Sequence, residues 1–427
     1  MLKQHGGNSR FVWNKLLEYS NQVKKDTDIY PGQYSFQKQI LKIKAENDFI
    51  HVSHSQPIQV NALRLNNAYS RAFKPEVVAE RNKKIAIAHF TLDEEKRNKE
   101  LSKAMNFGFP KFKSKNRSSD SIFYPQNFLI KKSRIHFPKL GWISYIKHRA
   151  IEGKPKFVTI TQDGSQYYVS VTCEVDEKEQ CKVALDKANI VGIDVGVKVF
   201  ATLSDGSSIK NPGTLKKHLK RLRKESRSLS RKVNLETGEK TAYGKAISKS
   251  SSNREKQILH IQKLHRKVKN VRKNFLHNVT HHIIAKYDGV VLEDLDISGM
   301  LNKNGKAMNR STSDVSWYEF GRQLEYKSAW HAKHFCKVNR YFPSTQLCCK
   351  CGNKANLSLK DRVYSCQICG AVSDRDLNAS INIKEEGLRI LKNTVATTGI
   401  QACGSTAVAV GQKQEKRKLR VPEVAVA

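Results

Sequence analysis

The spacing of apolar residues changes along the chain, and each change predicts a different kind of element. In the first stretch, Ile58, Ala62, Leu65, Tyr69, Ala72 and Phe73 fall on one face at helical spacing, so residues 1–105 read as a helical segment with ordinary core packing. Residues 106–183 shift to short alternating runs. Phe157-Val158-Thr159-Ile160 and Tyr167-Tyr168-Val169-Ser170-Val171 flank the turn Asp163-Gly164, which predicts a small antiparallel sheet or barrel. A third texture begins at Asn189 with the apolar strand Ile190-Val191-Gly192-Ile193-Asp194-Val195-Gly196, followed by Val197 to Leu203 and the turn Asp205-Gly206. Gly289-Val290-Val291-Leu292-Glu293-Asp294-Leu295 repeats the theme, apolar until it reaches an acid.

Charge changes the picture next. The 427 residues are enough for two or three domains, and Lys and Arg outnumber Asp and Glu by 77 to 39, a formal net charge of +38. An excess spread through most of the chain points to a polyanionic partner, nucleic acid before a membrane surface. Between residues 214 and 274 there are 20 basic residues against four acids, which suits two helices lying along a phosphate backbone, with a solvated helical hairpin as the plainer reading. The Gly- and Ser-containing stretch around Leu235 to Ser252 reads as the loop between them. Lys111, Lys113, Lys115 and Arg117 interleave with Phe109, Phe112, Phe123 and Tyr124, a mix that neutralises phosphates and stacks bases where the aromatics do not face a core. No run of apolar residues is long enough for a spanning helix, and the start Met1-Leu2-Lys3-Gln4-His5 lacks the apolar core of a signal peptide. A cytoplasmic chain of a prokaryotic cell, nucleoid-associated when bound to DNA, is expected.

The nine cysteines carry chemistry of their own. Cys348/Cys351 and Cys366/Cys369 form two CxxC knuckles with a 14-residue spacer, the arrangement of a closed, structural Zn2+ site. Cys349 lies inside the first knuckle and competes with its neighbours, although the two-residue gap favours Cys348 with Cys351. Cys173, Cys181, Cys336 and Cys403 have no such spacing and are assigned no role.

The acids complete the constellation. An unpaired Asp194 inside a buried strand is costly, so it must lie at an edge, be hydrogen-bonded or hold a cation. Glu293 ends a second such strand, and Asp376 follows the knuckles within Asp374-Arg375-Asp376-Leu377-Asn378-Ala379. Three carboxylates from distant parts of the chain are what two divalent cations need for phosphodiester chemistry, although strand-end acids also cap helices or bind arginine. Oxygen ligands point to two Mg2+ ions, with Mn2+ as a substitute.

These blocks, together with Ser313-Asp314-Val315-Ser316-Trp317, Phe342-Pro343-Ser344-Thr345, Gly108-Phe109-Pro110-Lys111-Phe112-Lys113-Ser114-Lys115, Tyr124-Pro125-Gln126 and Lys139-Leu140-Gly141, resemble the TnpB (OrfB) proteins of insertion sequences, which are themselves similar to compact type V CRISPR effectors. The resemblance spans nearly the whole chain. It implies a multidomain α+β protein: a helical recognition segment over 1–105, a β-rich wedge-like domain over 106–183, and a split RuvC (RNase H-like) α/β nuclease domain over 184–345 and 372–390. The basic hairpin 214–274 lies in the first nuclease part and a zinc ribbon at 346–371 divides the two parts; composition, low in aromatics and carrying Lys413, Lys416, Arg417, Lys418 and Arg420, makes 391–427 a basic disordered tail. The resemblance further implies that Asp194, Glu293 and Asp376 are the catalytic, Mg2+-holding acids, with Asp374 the neighbouring competitor for the third role. The partners it implies are a guide RNA from the transposon end and a double-stranded DNA target, cut by a monomer; pairing supplies sequence and the protein reads a short flanking motif. Family members carry a strand and turn ahead of the segment matched by Ser9-Arg10-Phe11-Val12-Trp13-Asn14, so the first wedge strand is expected to be missing here. The alternatives are transposase or recombinase processing of DNA strands and a nucleic-acid-binding regulator without catalysis. His281-His282 lacks the intervening residue of a single-strand transposase's His pair.

Overall fold

The computed structural model describes residues 1–115, 120–175, 181–232, 252–303, 305–357, 361–398 and 424–426. It is a mixed α/β chain that divides into two compact units, one of residues up to 177 with the last strand, the other of residues 178–412. Among the described residues, no helix is long and apolar enough to cross a membrane.

The first unit opens with five helices, α1 (Leu2–Thr27), α2 (Gln33–Glu46), α3 (Ser55–Ala72), α4 (Pro75–His89) and α5 (Glu94–Met105). The helical stripe read from sequence is the core-facing side of α3: Ile58, Ala62, Leu65 and Tyr69 are buried against Val12, Leu16 and Leu17 of α1 and Phe36 and Ile40 of α2. Phe73 departs from the stripe, being 52% exposed one residue past the end of α3. Six strands follow: β1 (Ser121–Tyr124), β2 (Leu129–Lys131), β3 (Arg134–Phe137), β4 (Gly141–Ser144), β5 (Lys154–Asp163) and β6 (Gln166–Glu174). The hairpin at Asp163-Gly164 joins β5 to β6, and these strands belong to two sheets sharing one apolar core of Ile122, Tyr124, Ile135, Phe137, Val158, Ile160 and Val169. The aromatic and basic loop is held from α1. The Trp13 indole N–H donates to the Lys111 carbonyl at 3.0 Å, Asn14 exchanges two hydrogen bonds with the Lys113 backbone, and the Lys113 ammonium lies 3.9 Å from the centre of the Trp13 ring. Arg117 lies outside the described residues.

The second unit is built on a five-stranded sheet of β7 (Ile190–Val195), β8 (Val199–Leu203), β9 (Ser208–Lys210), β10 (Gly289–Glu293) and β11 (His334–Val338). Its order is β11-β10-β7-β8-β9; β7, β10 and β11 are parallel, β8 pairs antiparallel with β7, and β9 antiparallel with β8. Between β9 and β10 run α6 (Thr214–Arg231) and the long α7 (Ser252–Lys286), the two basic helices expected from composition; their connection, apart from Ser252, lies outside the described residues. After β10 come α8 (Ile297–Lys303), α9 (Lys306–Val315) and α10 (Trp317–Trp330), and after β11 a two-stranded ribbon of β12 (Val363–Ser365) and β13 (Val372–Asp374) leads directly into α11 (Arg375–Thr398).

Both faces of the sheet are covered, which is why its central strands read as continuous apolar runs. Side chains alternate along a strand. Val191, Ile193, Val290 and Leu292 therefore point one way, onto Leu276 and Ile283 of α7 and Phe320 and Leu324 of α10. Ile190 and Val291 point the other way, onto Ile383 and Leu388 of α11. Burying each such side chain fully contributes about 1.5–3 kcal/mol, so the sheet and its helices form one cooperative body. One expectation is corrected here. Residues 391–398 continue α11 instead of opening a disordered tail, because Leu388, Ile390 and Leu391 still pack on the sheet side of the helix. Further on, Val424–Val426 (β14) pairs with β6; the rest of that expected tail lies outside the described residues.

Candidate active site

The acid-bearing strands are neighbours at the middle of the sheet, so Asp194 is not on an edge strand. β7 and β10 run parallel with Ile193 opposite Leu292, and one step further along lie Asp194 and Glu293. Alternation puts Asp194 on the same face as Ile190 and Gly192, and Glu293 on the same face as Val291, the face that α11 covers. The first turn of α11 carries Asp376. Two glycines set how closely that helix lies on the sheet. A Cβ on Gly192 would collide with the Ser380 carbonyl oxygen and the Lys384 backbone nitrogen, and one on Gly387 would run into the Val291 side chain.

Asp374, the competitor for the third role, is engaged by the backbone. Its Oδ1 accepts from the backbone N–H groups of Asp376 at 2.9 Å and Leu377 at 3.1 Å, so it caps the helix. Asp376, in the first turn of the helix, is close enough to Asp194 to act on it electrostatically. Its Oδ1 lies 3.3 Å from the Arg375 guanidinium and its Oδ2 lies 3.8 Å from that of Arg362. The Arg375 backbone N–H donates to the Arg362 carbonyl at 2.9 Å, continuing the β12–β13 ladder into the helix.

The electrostatics follow from burial first and from neighbouring charges second. Burial, then the carboxylates of Asp376 and Glu293, push Asp194 up to about 7, with Arg375 acting in the opposite direction. Burial, then Asp294, pushes Glu293 up to about 7. Such carboxylates favour a proton or a bound cation over standing charged and alone. They make a hard-oxygen set suited to a divalent ion and fit the Mg2+ expected for them.

The four cysteines are a different kind of site. Their sulfur atoms lie within 4.8 Å of one another and could hold a zinc ion; among the described residues, the acids form no group that tight. Cys348 and Cys369 are 3.6 Å apart and Cys351 and Cys366 3.5 Å apart, close to the ~3.8 Å edge of a tetrahedron with ~2.3 Å Zn–S bonds. Each knuckle closes on a glycine at positive φ, Gly352 at 72° and Gly370 at 67°, whose N–H groups donate to the Cys348 and Cys366 carbonyls. Backbone N–H groups of Cys369 and Ile368 help draw the Cys366 thiol down to about 6. Tyr364 is buried under the site and its hydroxyl donates to the Gln346 and Asn353 carbonyls. Cys349 is outside the group; its backbone N–H donates to Asn378. Cys173 and Cys336 are free and buried in the two cores.

Sequence reasoning missed the residues that join the two sites. Asn378 accepts from the Cys349 N–H at 2.9 Å and donates to the Leu347 carbonyl at 2.6 Å, while Asn382 donates to the Ser344 and Leu347 carbonyls. Asn378 and Asn382 are one helical turn apart and both buried, next to the core residues Ala379 and Ile383, and that spacing is the signal the sequence offers. Asp314 of α9 accepts from the Leu215 N–H at the start of α6 and pairs with Arg272 of α7 at 2.6 Å, tying both basic helices to α9.

Comparison with known proteins bears directly on this architecture. A family model described as "Probable transposase", of the OrfB group, matches residues 170–304, and one described as "Cas12f1-like, TNB domain" matches 317–383. A protein of Escherichia coli (strain K12) named "Putative RNA-guided DNA endonuclease InsQ" is 30% identical over 408 residues, covering 91% of this chain and 89% of the relative. The chain belongs to the TnpB (OrfB) family. A second TnpB-family relative, a "Putative RNA-guided DNA endonuclease" of Streptomyces pristinaespiralis, is 32% identical over 289 residues, 66% of each protein. A solved complex of Cas12f1 with sgRNA and target DNA aligns over 90% of this chain and 82% of that one at 16% identity and a TM-score of 0.45.

Proposed function

We infer that this TnpB-family chain is a transposon-encoded, RNA-guided DNA endonuclease, and that Asp194, Glu293 and Asp376 are its catalytic acids. The observation that carries the reading is the convergence of two strand-end carboxylates and the first-turn acid of α11 on one face of the sheet. The strand order, with three parallel strands and an antiparallel return, supports an RNase H-like, RuvC-type nuclease domain split by the zinc ribbon. The names of the curated relatives support the RNA guide and the DNA target. On the domain reading, residues 1–105 and 106–183 serve as recognition and wedge-like regions that hold RNA and the flanking motif, and the enzyme works as a monomer.

The carboxylate oxygens of Asp194, Glu293 and Asp376 would hold two Mg2+ ions, or Mn2+ in their place. When bound, such ions supply charge for in-line attack of water on phosphorus and for the departing 3′ oxygen. The chain's own part is to present the three acids in fixed register, through β7, β10 and the N-terminus of α11. Asp374 orients that N-terminus through the Asp376 and Leu377 N–H groups. Arg375 balances charge beside Asp376 and against Asp194. The phosphates of nucleic acid lie along α6 and α7, whose basic side chains replace the counterions that nucleic acid releases.

The test is cleavage of plasmid DNA by the full chain loaded with RNA from its own element, against a randomised flanking library. Cutting that requires Mg2+, the RNA and Asp194 is expected. Cutting that persists in EDTA, or in Asp194→Ala, would overturn the assignment of the acids; RNA and DNA binding with no cutting in any buffer would favour the non-catalytic regulator.

A further inference from the structure

The small sheet β2-β3-β4 has one face in the core of its unit and one in solvent. Ile130, Ile135, Phe137 and Ile143 point inward. Outward, the register aligns two cross-strand rows: Leu129, His136 and Trp142 in one, Lys131, Arg134 and Ser144 in the other. None of these six residues is acidic. Trp142 is 45% exposed, its ring centre lies 5.2 Å from that of His136, and the Lys131 ammonium sits 5.3 Å from it.

We propose that this face is a stacking platform for unpaired nucleotides of the guide RNA, with Trp142 and His136 taking the bases and Lys131 and Arg134 the phosphates. A large aromatic ring held in water beside cations suits a ligand that is flat, apolar on its faces and anionic at its rim, which describes a nucleotide. Three strands at ~4.8 Å spacing give a row about 10 Å wide, room for one or two bases but too narrow for the apolar centre of a stable protein interface. The ligand must be single-stranded, because paired bases keep their faces stacked inside the helix. RNA is favoured over DNA because the target arrives as a duplex, whereas the guide brings unpaired segments before any target is met. The proposal rests on the guided-nuclease reading only for the identity of that RNA.

The experiment measures binding of the full-length chain to a labelled transcript of the transposon end and to a single-stranded RNA oligomer, with DNA of the same sequence and fully paired RNA as competitors. Trp142→Ala is expected to weaken RNA binding by about 5- to 100-fold, the range for one stacked base, while Trp142→Tyr retains most of it and keeps the same melting curve. Lys131→Ala is expected to lower the slope of log affinity against log salt by about one, which Trp142→Ala leaves unchanged. Ultraviolet crosslinking followed by peptide mapping should recover Trp142 or His136 joined to RNA. Unchanged RNA affinity in Trp142→Ala, or single-stranded DNA competing as well as RNA, would overturn the proposal. RNA binding that depends on Trp142 in a chain that never cuts would leave the platform standing and remove the nuclease reading. Cutting that survives with normal RNA affinity in Trp142→Ala would do the reverse.

Discussion

Two clusters of ligand-type side chains lie in the same unit and differ in almost every physical respect. The cysteines are gathered by local chain reversals, two knuckles of a few residues each, and their sulfur atoms already stand near the edges of a tetrahedron. The acids are gathered from two strands and a helix far apart in sequence; burial first, then neighbouring carboxylates, raises Asp194 and Glu293 to about 7. A site that only has to bind can be built to fit its ion locally. Carboxylates drawn from distant segments are brought together only by the fold, and the fold carries the cost of burying them.

The largest effects should separate the two clusters most cleanly. Cys348→Ser, or stripping the protein with a strong chelator, removes a site whose zinc affinity is expected to contribute about 10–16 kcal/mol to folding of the ribbon. Loss of zinc by elemental analysis and of protease resistance across 346–371, with the five-stranded sheet still protected from hydrogen exchange, is the expected result; loss of both regions together would show that they do not fold separately. Asp194→Asn should go in opposite directions in two assays. DNA cutting should fall by 10³-fold or more, while the metal-free protein gains about 2–4 kcal/mol near pH 7, read as a higher denaturation midpoint.

The sign follows from the raised value. At pH below about 4, native and unfolded chains both carry the protonated acid. Between there and about 7, the unfolded chain ionises first, so the metal-free native state should lose stability as pH rises and level off above that window. Melting curves of wild type should show this decline and those of Asp194→Asn a shallower one. Added Mg2+ should restore stability at pH 8 and do little at pH 5, where protons occupy the carboxylates. Gly192→Ala should cost about 1–3 kcal/mol by pushing α11 off β7, and it should reduce cutting more than zinc content. The smallest change is Asp374→Ala, which removes a helix cap worth about 1 kcal/mol; cutting should fall modestly and Asp376 should remain essential.

The comparison also explains what could be read ahead of the structure. The knuckles are local, so spacing alone picks out the four cysteines whose sulfur atoms gather, and an acid interrupting an apolar strand stands out in any sequence. How the acids meet depends on register and on one helix, which spacing does not encode. Gly192 and Gly387 read as unremarkable residues until α11 is laid across β7 and β10. Asp374 and Asp376 are both acids of one motif, and only the backbone geometry at the helix start assigns one as the cap. The tail boundary expected at 391 failed for a related reason: α11 continues past that point because its sheet-facing residues still find partners, although the segment is low in aromatics.

The order of the acids along the chain has a consequence during synthesis. Asp194 and Glu293 leave the ribosome first, on strands that can pair with each other as they emerge; Asp376 comes only after the ribbon, on the helix that covers the finished sheet. A nascent or prematurely terminated chain could therefore assemble much of the sheet while lacking its third acid. On the proposed assignment, the acid that completes the site is made last, so a polypeptide still being synthesised is unarmed.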